Sequence, residues 1–98
     1  MERYFEWDNV KAVSNFRKHG VSFEIALEIF DDPLSQSAQD RIVNGEYRWQ
    51  TIGMARGSLL KVVHTIREDE DSTEVFRIIS ARHAEPRERR GYERNCQV

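Results

Sequence analysis

Five basic residues, Arg48, Lys61, Arg67, Arg77 and Arg82, stand in segments that otherwise read as β-strands. An arginine mounted on a strand is a rigidly based oxyanion ligand, because its planar fork donates two parallel hydrogen bonds that match a carboxylate or a phosphate. Arginine is strongly preferred here: of fifteen basic residues only Lys11, Lys18 and Lys61 are lysines. Arg67 and Arg82 stand out, each at the end of a long apolar strand. Arg48 or Lys61 alone reads as an ordinary solvent-face charge. Lys18 and His19 close a helix, where cations suit the negative end of the dipole. In a hairpin, Arg67 flanks the turn while Arg82 lies at the far end of the returning strand, so pattern alone does not bring the two together.

Other chemistries find no support. His19, His64, His83 and Cys96 lack the spacing of zinc ligands. His83-Ala84-Glu85-Pro86 starts like a zinc-deaminase motif, but no P-C-x-x-C follows. The acidic run Glu68-Asp69-Glu70-Asp71 has neither the glycine nor the final glutamate of an EF-hand. Asp31-Asp32 abuts Pro33 and reads as a helix terminator. There is no nucleophile elbow, Walker loop or dinucleotide fingerprint. No metal or cofactor is expected.

The elements that must position these residues divide into helices, then strands. Arg3 to Trp7 fits a short strand. Asp8 then caps a helix in which Val10, Val13 and Phe16 recur at helical spacing and Gly20 provides the left-handed stop. Ser22 caps a second helix with Phe23, Ala26, Leu27 and Phe30 on one face, Val21 and Ala26 forming a hydrophobic staple. Pro33 ends it. Strands are expected over Leu34–Ala38, Tyr47–Met54, Leu59–Arg67 and Glu74–Arg82, with a polar loop through Asp40 and Asn44-Gly45. The short connections imply antiparallel pairing. Val75, Ile79 and Ala81 oppose Phe76 and Ile78 on the last strand, so both faces of the sheet are at least partly covered. Pro86 opens a C-terminal helix whose one large apolar residue is Tyr92. The expected fold is α+β: two N-terminal helices packed on an antiparallel sheet of about four strands, with a C-terminal helix.

Composition fits one domain spanning residues 1–98. With 39% hydrophobic and 33% charged residues, and a net charge of −2, the chain is polar and slightly acidic. The balance is uneven. Residues 1–40 hold four Lys/Arg against eight Asp/Glu, whereas residues 75–98 hold six Arg against three Glu. An arginine-rich end calls for an anionic partner, which a solvated surface or an acidic protein would also satisfy. No window approaches a membrane span, Met1-Glu2-Arg3-Tyr4 lacks a signal-peptide apolar stretch, and the lone Cys96 excludes an internal disulfide. A reducing cytoplasm is the expected compartment.

One family shares these residues in this order. Phe5-Glu6-Trp7-Asp8, Lys11, Asn15, Lys18-His19-Gly20-Val21-Ser22-Phe23, Ala26, Phe30, Asp32-Pro33, Arg48, Ile52-Gly53, Val63-His64-Thr65-Ile66-Arg67 and Arg77-Ile78-Ile79-Ser80-Ala81-Arg82 through Glu88 and Tyr92 resemble the BrnT toxins of type II toxin–antitoxin pairs, in the RelE/ParE-like superfamily. The resemblance covers residues 5–93. His64 stands where that family usually has a tyrosine, and Glu85 where it usually has a hydroxyl cap.

The resemblance implies a RelE-like fold and a metal-independent endoribonuclease that cleaves RNA, free or on the ribosome, and blocks translation. It implies a BrnA-like antitoxin that neutralises the toxin in a hetero-oligomer and supplies the complex's only DNA contact. Arg67 and Arg82 would hold the scissile phosphate, Arg48 and Arg77 flanking phosphates, and Lys18, His19 or Tyr92 would transfer protons. From the residues alone two other classes stand: a protein-interaction module without catalysis, and a nucleic-acid-binding regulator that grips phosphates without chemistry.

Overall fold

The computed structural model describes residues 2–96. Strand β1 (Arg3–Glu6) leads into helix α1 (Asn9–His19). The short helix α2 (Phe23–Ala26) continues as a 3₁₀ segment over Leu27–Asp31. Strands β2 (Gln36–Val43), β3 (Glu46–Ala55), β4 (Ser58–Glu68) and β5 (Glu74–His83) follow, then helix α3 (Pro86–Asn95). The sheet has the order β1-β5-β4-β3-β2.

Local chemistry sets the helical start. Asp8 accepts hydrogen bonds from the Val10 and Lys11 N–H groups, and Gly20 ends α1 at φ 71°. Ser22 accepts from the Ile25 N–H at 3.2 Å. The core lies between these helices and the sheet and contains Val21, Phe23, Ala26, Ile29, Ala55, Leu60, Val62, Ile78 and Ala81. Where the 3₁₀ segment crosses β3, a Cβ on Gly53 would stand 3.0 Å from Ile29 Cβ and 3.1 Å from Ser35 Cβ, so this crossing requires glycine.

Several expectations are corrected. The sheet has five strands rather than about four, and it is mixed: β1 runs parallel to β5, with Arg3 opposite Glu74 and Glu6 opposite Arg77. This pairing joins residues 71 apart in sequence and leaves no turn signal. The second of the expected helices is a single α-turn extended as 3₁₀. The strand expected over Leu34–Ala38 instead spans Gln36–Val43 and takes in the polar stretch through Asp40; its exposure as an edge strand tolerates those polar residues. On β5 the pairing shifts so that Val63 faces Ser80 and His64 faces Ile78, leaving Ile79 as an extra residue. That bulge lets Ile78 and Ala81 both enter the core.

Helix α1 is turned opposite to its apolar pattern. Val10, Val13 and Phe16 are 78%, 53% and 55% exposed, while Asn15 is buried. The Asn15 amide explains the orientation. Its Nδ2 donates to the Val21 and Ala81 carbonyls at 3.1 and 2.8 Å, and its Oδ1 accepts from the Ala81 N–H at 3.1 Å. β1 pairs only as far as Arg77, so the rest of this β5 edge lacks a strand, and the side chain supplies the missing rung at Ala81. Among the described residues no helix is long and apolar enough to cross a membrane.

Candidate nucleic-acid interface

Strand alternation assigns the two faces of the sheet. Leu60, Val62 and His64 of β4 point toward the helices with Thr51, Gly53 and Ala55 of β3. Lys61, Val63, Thr65 and Arg67 therefore point the other way. Register carries the assignment across: Arg82 lies opposite Lys61, and Arg77 opposite Thr65. On β3, Arg48 shares the parity of Gln50 and Ile52, which lie opposite Val63 and Lys61. All five strand cations thus share the face away from α1 and α2.

They form two clusters, each built around one carboxylate. In the first, Glu6 of β1 accepts from Arg67 Nη1 and Nη2 at 3.1 and 3.2 Å, and from Arg77 Nη1 at 3.0 Å. Arg67 also reaches Asp69 at 3.4 Å. The Arg67 and Arg77 hydrogen bonds outweigh desolvation and hold the Glu6 carboxyl below the usual range. In the second, Glu88 of α3 accepts from Arg82 Nη1 and Nη2 at 2.8 and 2.9 Å and lies 3.3 Å from Lys61 Nζ. Burial pushes the Glu88 carboxyl up, but its Arg82 and Glu85 N–H hydrogen bonds and the two cations bring it down to about 2. Arg48 belongs to neither cluster. Its Nε is buried without a hydrogen-bond partner, alone in this among the described side chains.

The two arginines that the resemblance assigns to the scissile phosphate do not meet. Arg67 lies beside Val75 and Arg82 beside Lys61, six residues or about 20 Å apart along β4. Arg77 is closer to the second cluster, four positions or about 13 Å from it. Lys18 and His19 sit at the end of α1, in the helical layer, across the sheet from the strand cations. Tyr92 is buried, and its hydroxyl donates to Asp32 Oδ2 at 2.6 Å. Burial first, then the Asp32 hydrogen bond and charge, push its pKa well above the ordinary tyrosine value.

Two features were not visible in the residue pattern. Asp32 is more than a terminator: besides Tyr92 it accepts from the Leu34 N–H at 2.9 Å and the Met54 N–H at 2.8 Å, pinning α3 to β3 and to the turn after α2. Burial opposes the charge, yet these donors hold its pKa below the usual value. His64 belongs to the core. It stacks on Phe76, meets Phe30 edge-on, and bonds Thr51 Oγ1 at 2.7 Å, which in turn bonds Ser37 Oγ. Burial drives its pKa down to about 4 against the Thr65 carbonyl, so the ring is neutral near pH 7. Among the described residues no three His, Cys, Asp or Glu side chains gather into a metal-sized group.

Residues 7–88, carrying both cation clusters apart from the β1 carboxylate, match the family described as ribonuclease toxin, BrnT, of type II toxin-antitoxin system. The chain belongs to the BrnT family. No curated protein matches it. Membership in this BrnT family of ribonuclease toxins implies an antitoxin partner, and Arg48, Lys61, Arg67, Arg77, Arg82 and Glu88 all fall within the matched span.

Proposed function

We propose that this chain is an endoribonuclease that lays RNA across the face of the sheet opposite α1 and α2, cleaves it, and so blocks translation until a BrnA-type antitoxin neutralises it. One observation carries this reading: five cations from three strands share that face, where Glu6 and Glu88 each bridge two of them and Asp69 and Glu85 each meet one. Such a surface holds a chain of phosphates while the molecule as a whole remains acidic.

The chemistry follows from charge. When a ribose 2′-oxygen attacks the adjacent phosphorus, its proton passes to water, the P–O5′ bond breaks and the departing 5′-oxygen takes a proton from water. Negative charge builds on the phosphoryl oxygens meanwhile, and fixed guanidinium and ammonium groups stabilise it without reorganisation. Arg82 and Lys61, on facing strands, are suited to this task, with Arg77, Arg67 and Arg48 on the same face along the RNA path. Tyr92 is committed to Asp32, and Lys18 and His19 stand in the helical layer, so this reading gives none of them a proton-transfer step. No metal is required, because the side chains supply the positive charge.

The test is inducible expression in a bacterium, following growth and mapping new RNA 5′ ends, beside Arg82→Ala at equal soluble expression. Growth arrest with new ends that vanish in the variant is expected. Arrest and cleavage unchanged in Arg82→Ala would overturn the assignment.

A further inference from the structure

The two carboxylates on the cationic face occupy positions that an RNA phosphate would take. A carboxylate accepting two parallel N–H bonds from one guanidinium presents its two oxygens as a phosphate does, and the fork accommodates one such partner at a time. Glu88 makes this contact with both terminal nitrogens of Arg82 and also reaches Lys61 Nζ, so one carboxylate engages both cations. Glu6 makes the same contact with Arg67 and is shared with Arg77. The contacts differ in origin. Glu6 belongs to a strand of the sheet itself, whereas Glu88 projects from α3. That helix is fastened independently by the Tyr92–Asp32 hydrogen bond and by the Gln36 side chain on the Tyr92 carbonyl.

We propose that Glu88 is a built-in phosphate mimic: it fills an anion subsite formed by Arg82 and Lys61, and an RNA phosphodiester enters that subsite by displacing it. This rests on the RNA-binding reading above and refines it. The exchange rotates the Glu88 side chain and gives up the capping hydrogen bond that it accepts from the Glu85 N–H at 2.9 Å, while the Tyr92–Asp32 and Gln36–Tyr92 contacts keep α3 in place. The resting toxin therefore carries a competitor that weakens its hold on RNA. Losing that carboxylate strengthens binding, the opposite of what loss of a supporting ion pair would do.

The experiment measures binding of a single-stranded RNA oligonucleotide, 2′-O-methylated throughout to prevent cleavage through its 2′-oxygens, to the full chain across a salt series. Glu88→Gln should bind about tenfold more tightly than the parent, as expected for freeing a charged hydrogen-bonded subsite. It should also show a steeper salt dependence, because one more phosphate is neutralised. Glu93→Gln removes the same charge from an exposed position of α3 and should stay within about twofold. Glu88→Asp keeps the charge but is one methylene too short to span Arg82 and Lys61, and it too should bind more tightly; it decides the matter if Glu88→Gln proves unfolded by circular dichroism. Glu88 variants that bind no better than the parent and Glu93→Gln, while the parent binds RNA, would overturn the mimic and leave the RNA reading standing. Failure of the parent and every variant to bind would remove both.

Discussion

The same five strands present two faces that handle polar groups in opposite ways. Toward the helices, Thr51 and the neutral His64 are buried and hydrogen-bonded to each other, with Ser37 of the edge strand bonded to Thr51. On the other face, charge is concentrated, and cations outnumber the carboxylates that bridge them. The difference follows from dielectric. A buried charge is costly unless neutralised, so the covered face keeps its titratable ring uncharged, whereas on the other face Arg67 and Arg77 keep contact with water and the more enclosed Lys61 and Arg82 are paired with Glu88. On the proposed reading, the core that stabilises the fold and the surface that binds RNA lie on opposite sides of one sheet.

The largest expected effect lies on the cationic face. Arg82→Ala should lower RNA cleavage by about 100-fold or more, the scale of losing one preorganised transition-state charge. The fold should survive, because Glu88 keeps Lys61 at 3.3 Å; thermal melting alongside 5′-end counting checks both. Asp32→Ala tests the join between the two sides. It strips the Tyr92 hydroxyl and the Met54 N–H of their acceptor and should cost about 2–4 kcal/mol in urea unfolding.

The covered face should reveal itself through pH. The folded pKa of His64, about 4, lies below its ordinary 6.5, so the unfolded chain binds the proton first. The His64 contribution is complete above pH 6.5 and is lost as pH falls toward 4, about 2 kcal/mol of it by pH 5. His64→Phe should flatten that window. Glu88 acts lower: its depressed pKa contributes stability above 4.5 that is lost as pH falls toward 2. Denaturant midpoints measured from pH 8 to pH 3 separate the two windows. The smallest effect is expected at Val13→Ser on the outward stripe of α1, below about 1 kcal/mol, since that side chain is already 53% exposed.

Legibility in the sequence followed the range of the interactions. Asp8, Gly20 and Ser22 act within one turn of themselves, so both helix starts and the α1 stop could be read directly. The β3–β4–β5 meander was legible because its turns are local. The parallel β1–β5 pair was not, since nothing near Arg3–Glu6 signals a partner at residues 74–77. The orientation of α1 was misleading for a related reason: its apolar spacing is genuine, but the three hydrogen bonds of Asn15 to Val21 and Ala81 outweigh it. Of the candidate site, the placement of its cations on strands was legible. Their division into two clusters depends on register and on Glu6 and Glu88, which composition does not reveal. The Tyr92–Asp32 hydrogen bond was not legible, because the two residues are 60 positions apart.

The most direct test removes two positive charges from each side in turn. Arg77→Ala/Arg82→Ala and Arg17→Ala/Lys18→Ala are expressed at equal soluble levels, and new RNA 5′ ends are counted over time after induction. The sheet-face pair should fall to background while the helix-side pair retains the parent rate within about twofold, consistent with screening of remote charge. Equal losses, or loss confined to the helix-side pair, would contradict the separation of function from stability across the sheet.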